Sequence, residues 1–171
     1  MLFVVTGPES TGKTTLTAAL AEHLQAPYVA EAARAYLQDK YRYEPSDVLA
    51  IAHRQQQLER GVLARDPQVA IADTDLQVVY IWWQERIGPA PEILRNAYAQ
   101  QSPRYYLLCR PDLPWEADPL RENPDDRDRL WQVYLADLSA RQLPFSVVEG
   151  KGRQRFDCAV RVINRVLSGG S

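Results

Sequence analysis

Long hydrophobic runs are missing from this 171-residue chain. The longest strongly apolar stretch, Val78 to Trp83, falls far short of the roughly 20 residues that a membrane helix needs. Cysteine is nearly missing too. Cys109 and Cys158 alone exclude a disulfide framework and a cysteine zinc site, and they make a reducing, cytoplasmic setting the expectation. There is no excess of positive charge: 20 Lys and Arg face 22 Asp and Glu, a net charge of -2. Broad binding to nucleic acid needs a basic face, so that partner class is excluded. The N-terminus, MLFVVTGPES, lacks a basic n-region and reads as a first core strand rather than a leader. No repeat, low-complexity tract or linker divides the chain, so one domain over residues 1–171 is expected.

What is present is an alternation of short β-rich runs and longer helical ones. Strands are expected at Leu2–Thr6, Tyr28–Ala30, Val69–Ala72, Tyr105–Cys109 and Phe145–Glu149. Between them, Lys13–Leu24, Glu31–Lys40, Ser46–Arg65, Leu76–Ile87, Glu92–Gln101, Asp126–Gln142 and Arg153–Leu167 carry helical spacing, with Ser46 as the expected N-cap of its helix. Apolar strands joined through helices imply an α/β fold: a five-stranded parallel sheet with helices on both faces. Residues 110–128 hold four prolines in a charged stretch and read as a short lid. In such sheets the chemistry gathers beyond the carboxyl ends of the strands.

After the first strand comes Gly7-Pro8-Glu9-Ser10-Thr11-Gly12-Lys13-Thr14, the complete GxxxxGK[ST] pattern. Chance would produce it about once in a couple of hundred chains of this length, and here it also links a strand to a helix, its confirming context. Glycines let the backbone curl so that N–H groups from Glu9 to Thr15 converge on phosphate oxygens. The helix N-terminus adds its positive end. Lys13 reaches the outer phosphates, and the Thr14 hydroxyl joins a Mg²⁺ shell. ATP and Mg²⁺ are therefore the expected cofactors.

The third strand runs into Asp73-Thr74-Asp75. Asp73 is the candidate for the metal shell. Asp75 either touches substrate or caps the next helix. The second strand ends in Glu31, with Arg34 one helical turn on. This pair faces the phosphate loop to bind or deprotonate a substrate hydroxyl, or else pairs locally. The catalytic base stays open among Glu31, Asp73 and Asp75. Arg121 and Arg127, in or beside the lid, are candidates to neutralise a transferring phosphoryl group. Trp115 is oddly placed for core and could stack on a ligand ring or clasp the lid. Arg153 or Arg155, after the fifth strand, could stack on an adenine. Trp82 and Trp83 read as core, and His23 and His53 as surface. Gln55, Gln56 and Gln57 border a substrate or simply present a polar helix face.

The segments GPESTGKTTL, EAARAYL, IADTDLQV and PDLPWEADPLRENPDDR, in that order, resemble the ribosylnicotinamide kinase domain of NadR-type proteins and small stand-alone AAA family ATPases, from about Leu2 to Arg165. The resemblance implies a P-loop kinase fold, nucleoside/nucleotide kinase-like, and transfer of the ATP γ-phosphoryl group to the 5′-hydroxyl of nicotinamide riboside. It implies that Lys13 and Thr14 serve ATP and Mg²⁺ and that Asp73 is the acidic position after the third strand. It also implies that Glu31 with Arg34 is the acidic-basic pair, Trp115 the ring-stacking aromatic, and Arg121 with Arg127 the lid. Full-length members carry an adenylyltransferase domain upstream. With the first strand at Leu2, a kinase domain alone is expected, taking a small nucleoside-like partner, with no membrane or nucleic acid and with homo-oligomerisation left open. A kinase for another nucleoside or small metabolite is the close alternative, and an ATPase or ATP-binding regulatory module the more distant one. A GTPase switch is disfavoured because no Asn is followed by Lys, as a guanine-reading N-K-x-D motif requires.

Overall fold

Every residue of β1 (Leu2–Thr6) is buried, because the strand is central and both of its faces are covered. The computed structural model describes residues 1–38, 40, 42–115 and 126–169. β1 pairs in parallel with β3 (Ala70–Asp73) on one side and β4 (Arg104–Cys109) on the other. The outer strands are β2 (Tyr28–Val29) beside β3 and β5 (Phe145–Val148) beside β4, giving the order β2-β3-β1-β4-β5. The chain leaves β1 for one half of the sheet and later crosses to the other. β1 therefore ends at the topological switch point, where such folds open a binding crevice.

The pleat sends alternate β1 residues to opposite faces. Phe3 and Val5 pack with Leu16 and Leu20 of α1 (Lys13–Leu24) and Ala159 and Ile163 of α7 (Arg153–Leu167). Leu2 and Val4 pack with Ile81 of α4 (Leu76–Arg86) and Trp131, Tyr134 and Leu138 of α6 (Arg127–Ala140). Each such fully buried Leu or Phe contributes about 1.5–3 kcal/mol, so the strand ends are set on rigid ground. A third cluster joins α2 (Ala32–Leu37), α3 (Pro45–Leu63), α4 and α5 (Glu92–Ala99) through Leu37, Ile51, Val79, Trp83 and Leu94.

The expected architecture of five parallel strands and covering helices is present, with two local corrections. Ser46 is not the cap of α3. The helix starts one residue earlier, at Pro45, which fits the first turn because it has no N–H to leave unpaired. Glu44 caps it in a reciprocal box with Asp47, whose carboxylate accepts from Glu44 N at 2.8 Å. β4 starts at Arg104, a charged residue that buried carboxylates hold inside the sheet. Among the described residues no helix is long and apolar enough to cross a membrane. Of the lid expected over 110–128, residues 116–125, with Arg121, lie outside the described residues.

Candidate active site

The loop from Gly7 to Gly12 curls between β1 and α1 because its backbone adopts angles that few residues tolerate. Gly7 has φ 130°, and a Cβ there would meet the Cys109 carbonyl oxygen at 2.8 Å. Only glycine lets the loop lie this close to the end of β4. Gly12 takes the left-handed conformation at the N-cap of α1, and Leu113 packs into the space that its missing side chain leaves. The loop is stitched internally: Thr11 Oγ1 and Lys13 Nζ both donate to the Pro8 carbonyl at 2.8 Å. Lys13 is thus folded over the curl, at the mouth of a row of N–H groups and a helix N-terminus, an anion cradle on physical grounds.

Gly7 through Thr15 line a cleft of about 1270 Å³. Across it stand Glu31, at the N-cap of α2, and Arg34. The Glu31 carboxylate makes no capping bond, and Arg34 Nε lies 3.9 Å from its Oε2. One end of the cleft is walled by Arg153, Phe156 and His23, whose imidazole meets Phe156 edge-on at 5.3 Å between ring centres. The other end is walled by Leu37, Tyr43, Val78 and Trp82. Trp82 Nε1 donates to Tyr43 Oη at 2.9 Å, and the two rings meet nearly edge to face at 4.8 Å.

Asp73 closes β3 just behind the loop, opposite Val5 in register. Burial raises its carboxyl above the usual range, while the Thr14 hydroxyl, the Lys13 charge, the Tyr28 hydroxyl and Arg34 pull the other way. Tyr28 Oη lies 3.4 Å from Asp73 Oδ2, and its own hydroxyl is pushed up to about 12 by burial and by that carboxylate. Asp73 Oδ1 is buried with no hydrogen-bond partner. An orphaned carboxylate oxygen beside a threonine hydroxyl is an oxygen-only donor set, and it fits Mg²⁺, which keeps most of its shell in water and phosphate. Among the described residues no group of three or more His, Cys, Asp or Glu could hold a metal.

Several expected residues stand elsewhere. Asp75 is fully buried and does not line the cleft. Its Oδ1 accepts from Gln77 N at 2.9 Å, the cap of α4, and its Oδ2 accepts from Tyr106 Oη at 2.7 Å and Arg104 Nη1 at 3.2 Å. Capping, not substrate contact, is the role its geometry realises. Trp115 does not line the cleft either; Arg127 lies over its ring at 5.9 Å. Arg127 Nη1 donates to the carbonyls of Leu113 at 2.8 Å and Ser10 at 3.2 Å, so this guanidinium braces the loop from outside. Arg153 and Arg155 both line the cleft, Arg155 as a buried brace and Arg153 as an exposed member of the rim, paired with Asp157 at 2.8 Å. Trp82, expected in the core, faces the cleft; Trp83 is the core residue. His23 faces the cleft too. The reversal at Trp82 carries no sequence signal, because helical spacing does not say which of two apolar neighbours borders a void, whereas His23 is exposed as expected.

The chain belongs to the AAA domain family, whose pattern matches residues 2–155. Among curated proteins, none matches it. The fold is that of the P-loop kinases. It superposes on the structure of NadR protein in complex with NR with a TM-score of 0.75 at 20% identity, over 96% of this chain and 48% of that one. The chain thus spans about half the length of that protein. Thymidylate kinase from Ehrlichia chaffeensis matches with a TM-score of 0.64 at 12% identity, over 97% of this chain and 98% of that one. Deoxyadenosine kinase from M. mycoides, with bound dATP, matches with a TM-score of 0.60 at 14% identity, over 96% and 99%.

Proposed function

We propose that the protein is an ATP-dependent kinase of a small nucleoside-like acceptor, with the 5′-hydroxyl of nicotinamide riboside as the favoured site of phosphorylation. One observation carries the reading. A complete phosphate cradle, Gly7 to Thr15, shares a single cleft with a carboxylate just beyond the outer strand β2. Acceptor phosphorylation needs both halves, whereas simple nucleotide binding needs only the first. The extent of the cleft supports it, since its walls take in residues of α2, α3, α4 and α7 besides the cradle. The likeness in fold to NadR protein in complex with NR supports the choice of acceptor.

In this reading the loop N–H groups and Lys13 hold the triphosphate, and the Arg153–Phe156 end takes the adenine. Thr14 and Asp73 would hold Mg²⁺, which draws charge from the transferring phosphoryl group when bound. Glu31 accepts a hydrogen bond from the acceptor hydroxyl and takes its proton as the oxygen attacks. Of the three candidates for the base it is the one that lines the cleft, since Asp73 sits behind the loop and Asp75 is committed to Arg104 and Tyr106. Arg34 steadies Glu31. Trp82 and Tyr43 offer the acceptor's ring an apolar wall. A reducing, cytoplasmic setting suits the two unpaired cysteines.

ADP release measured across a panel of nucleosides, nicotinamide riboside included, tests the proposal. Acceptor-dependent turnover is expected. It should fall by about a hundredfold or more in Lys13→Ala, which loses charge stabilisation of the moving phosphoryl group. Hydrolysis that ignores every acceptor and survives Glu31→Ala would make the protein an ATPase instead.

A further inference from the structure

β2 is only two residues long, and its ladder with β3 ends at the pair Val29↔Ala72. The two chains then run on, one to Glu31 and the other to Asp73 and Thr74, with no further ladder register between them. A side chain takes over there. Gln55, on α3, is 2% exposed. Its Oε1 accepts from Ala32 N at 2.7 Å, and its Nε2 donates to Ala30 O at 3.3 Å and Thr74 O at 3.5 Å. The orientation of the amide is dictated by its partners, because a backbone N–H can only donate and carbonyls only accept. The residue between Ala30 and Ala32 is Glu31. Thr74 directly follows Asp73 and is itself buried at φ 66°, a left-handed conformation that a threonine holds only under constraint.

We infer that Gln55 is a positioning residue: its buried carboxamide staples the backbone on both sides of Glu31 to the turn after Asp73 and so sets the acceptor-side carboxylate against the metal-side one. The inference rests on the reading of Glu31 given above. In Gln55→Met, of similar shape but without the bonds, kcat should fall about 10- to 100-fold because the acceptor hydroxyl is no longer aligned. KM for ATP should stay within about twofold, since the triphosphate is held elsewhere. If Gln55 acts through Glu31, the same change in a Glu31→Ala background should cost less than about twofold. Gln55→Glu keeps the acceptor for Ala32 N and loses the donors, and is the second variant should Gln55→Met fold poorly. Amide hydrogen exchange supplies a readout independent of activity, in which Ala32 N–H should exchange at least about tenfold faster in Gln55→Met, by more than the amides of β1 and β3 that report any loss of global stability. An undiminished loss in the Glu31→Ala background would overturn the inference, because Gln55 would then act directly on the acceptor. So would unaltered exchange at Ala32. If the wild-type protein shows no acceptor-dependent turnover, the kinase reading fails, and exchange at Ala32 alone decides whether the staple exists.

Discussion

The Arg155 guanidinium donates to the carbonyl oxygen of Thr11 at 2.9 Å, across 144 positions of sequence. The same group donates to Gly150 O at 2.8 Å and Arg110 O at 3.0 Å, and it pairs with Asp112. Asp112 in turn accepts from Gly150 N at 2.7 Å. One buried fork therefore joins the phosphate loop, the segment after β4 that starts the expected lid, and the loop after β5. The three segments leave three neighbouring strand ends, and their backbone carbonyls would otherwise be short of donors.

Replacing that fork should loosen the cradle. Arg155→Met removes every one of these bonds and leaves Asp112 without its cation, at a cost of about 3 kcal/mol in stability, because its carboxylate is only partly hydrated. The affinity for Mg·ATP should fall as the loop loses its outer support. Arg155→Lys restores the charge but not the planar geometry, and should recover less than half of either effect. Urea unfolding and nucleotide titration of the two variants check this.

A second buried cation answers a question of stability alone. Arg104 reaches Glu59 through two bonds of 2.8 Å and Asp75 at 3.2 Å, with its side chain 2% exposed. Tyr106 and Gln101 complete the shell of Asp75. Arg104→Met strands two carboxylates in the interior and should destabilise the protein by about 3–5 kcal/mol. The Arg153–Asp157 pair has the same chemistry on the surface, with Arg153 81% exposed. Asp157→Asn should cost less than about 1 kcal/mol, since water and salt already screen that pair. Chemical denaturation of both variants in one buffer gives the comparison directly.

What could be read in the sequence was local. The phosphate loop is a fixed spacing of glycine, lysine and threonine between a strand and a helix, so Gly7 to Thr15 needed no partner from elsewhere in the chain to be recognised. The strand–helix alternation is equally local, and it led to the sheet. Asp73 could be placed because an apolar strand simply stops there. Asp75, two residues on, could not: whether it caps or binds depends on Arg104 and Tyr106, which arrive from β4. Gln55 read either as bordering a substrate or as part of a polar face, and its place in the cleft wall could not be chosen from the sequence because its partners, Ala30, Ala32 and Thr74, belong to two other segments. From Val78 to Trp83 the sequence of α4 is apolar without a break, as expected of a buried helix. In fact it packs against the core on one side and walls the cleft on another, and composition does not separate the two.

That ambiguity bears on the two tryptophans that compete for the acceptor's ring. Trp82 borders the cleft, and its indole is held at a fixed angle by the bond to Tyr43 and by the edge-on contact between the rings. A ring entering from the Glu31 side meets a surface that loses little freedom on binding, which is how an aromatic wall gains affinity. Trp115 lies outside the cleft lining, with Arg127 over its face, so stacking there would have to displace a cation already in place. Trp82→Ala should therefore raise the acceptor KM about tenfold, as a stacking contact of about 1 kcal/mol plus lost apolar area implies. KM for ATP should be little changed. Trp115→Ala should leave the acceptor KM within about twofold and act instead, through Arg127, on the bracing of the phosphate loop. Steady-state kinetics with the acceptor varied at saturating Mg·ATP separates the two, and a larger acceptor effect in Trp115→Ala than in Trp82→Ala would move the ring to the lid side of the cleft.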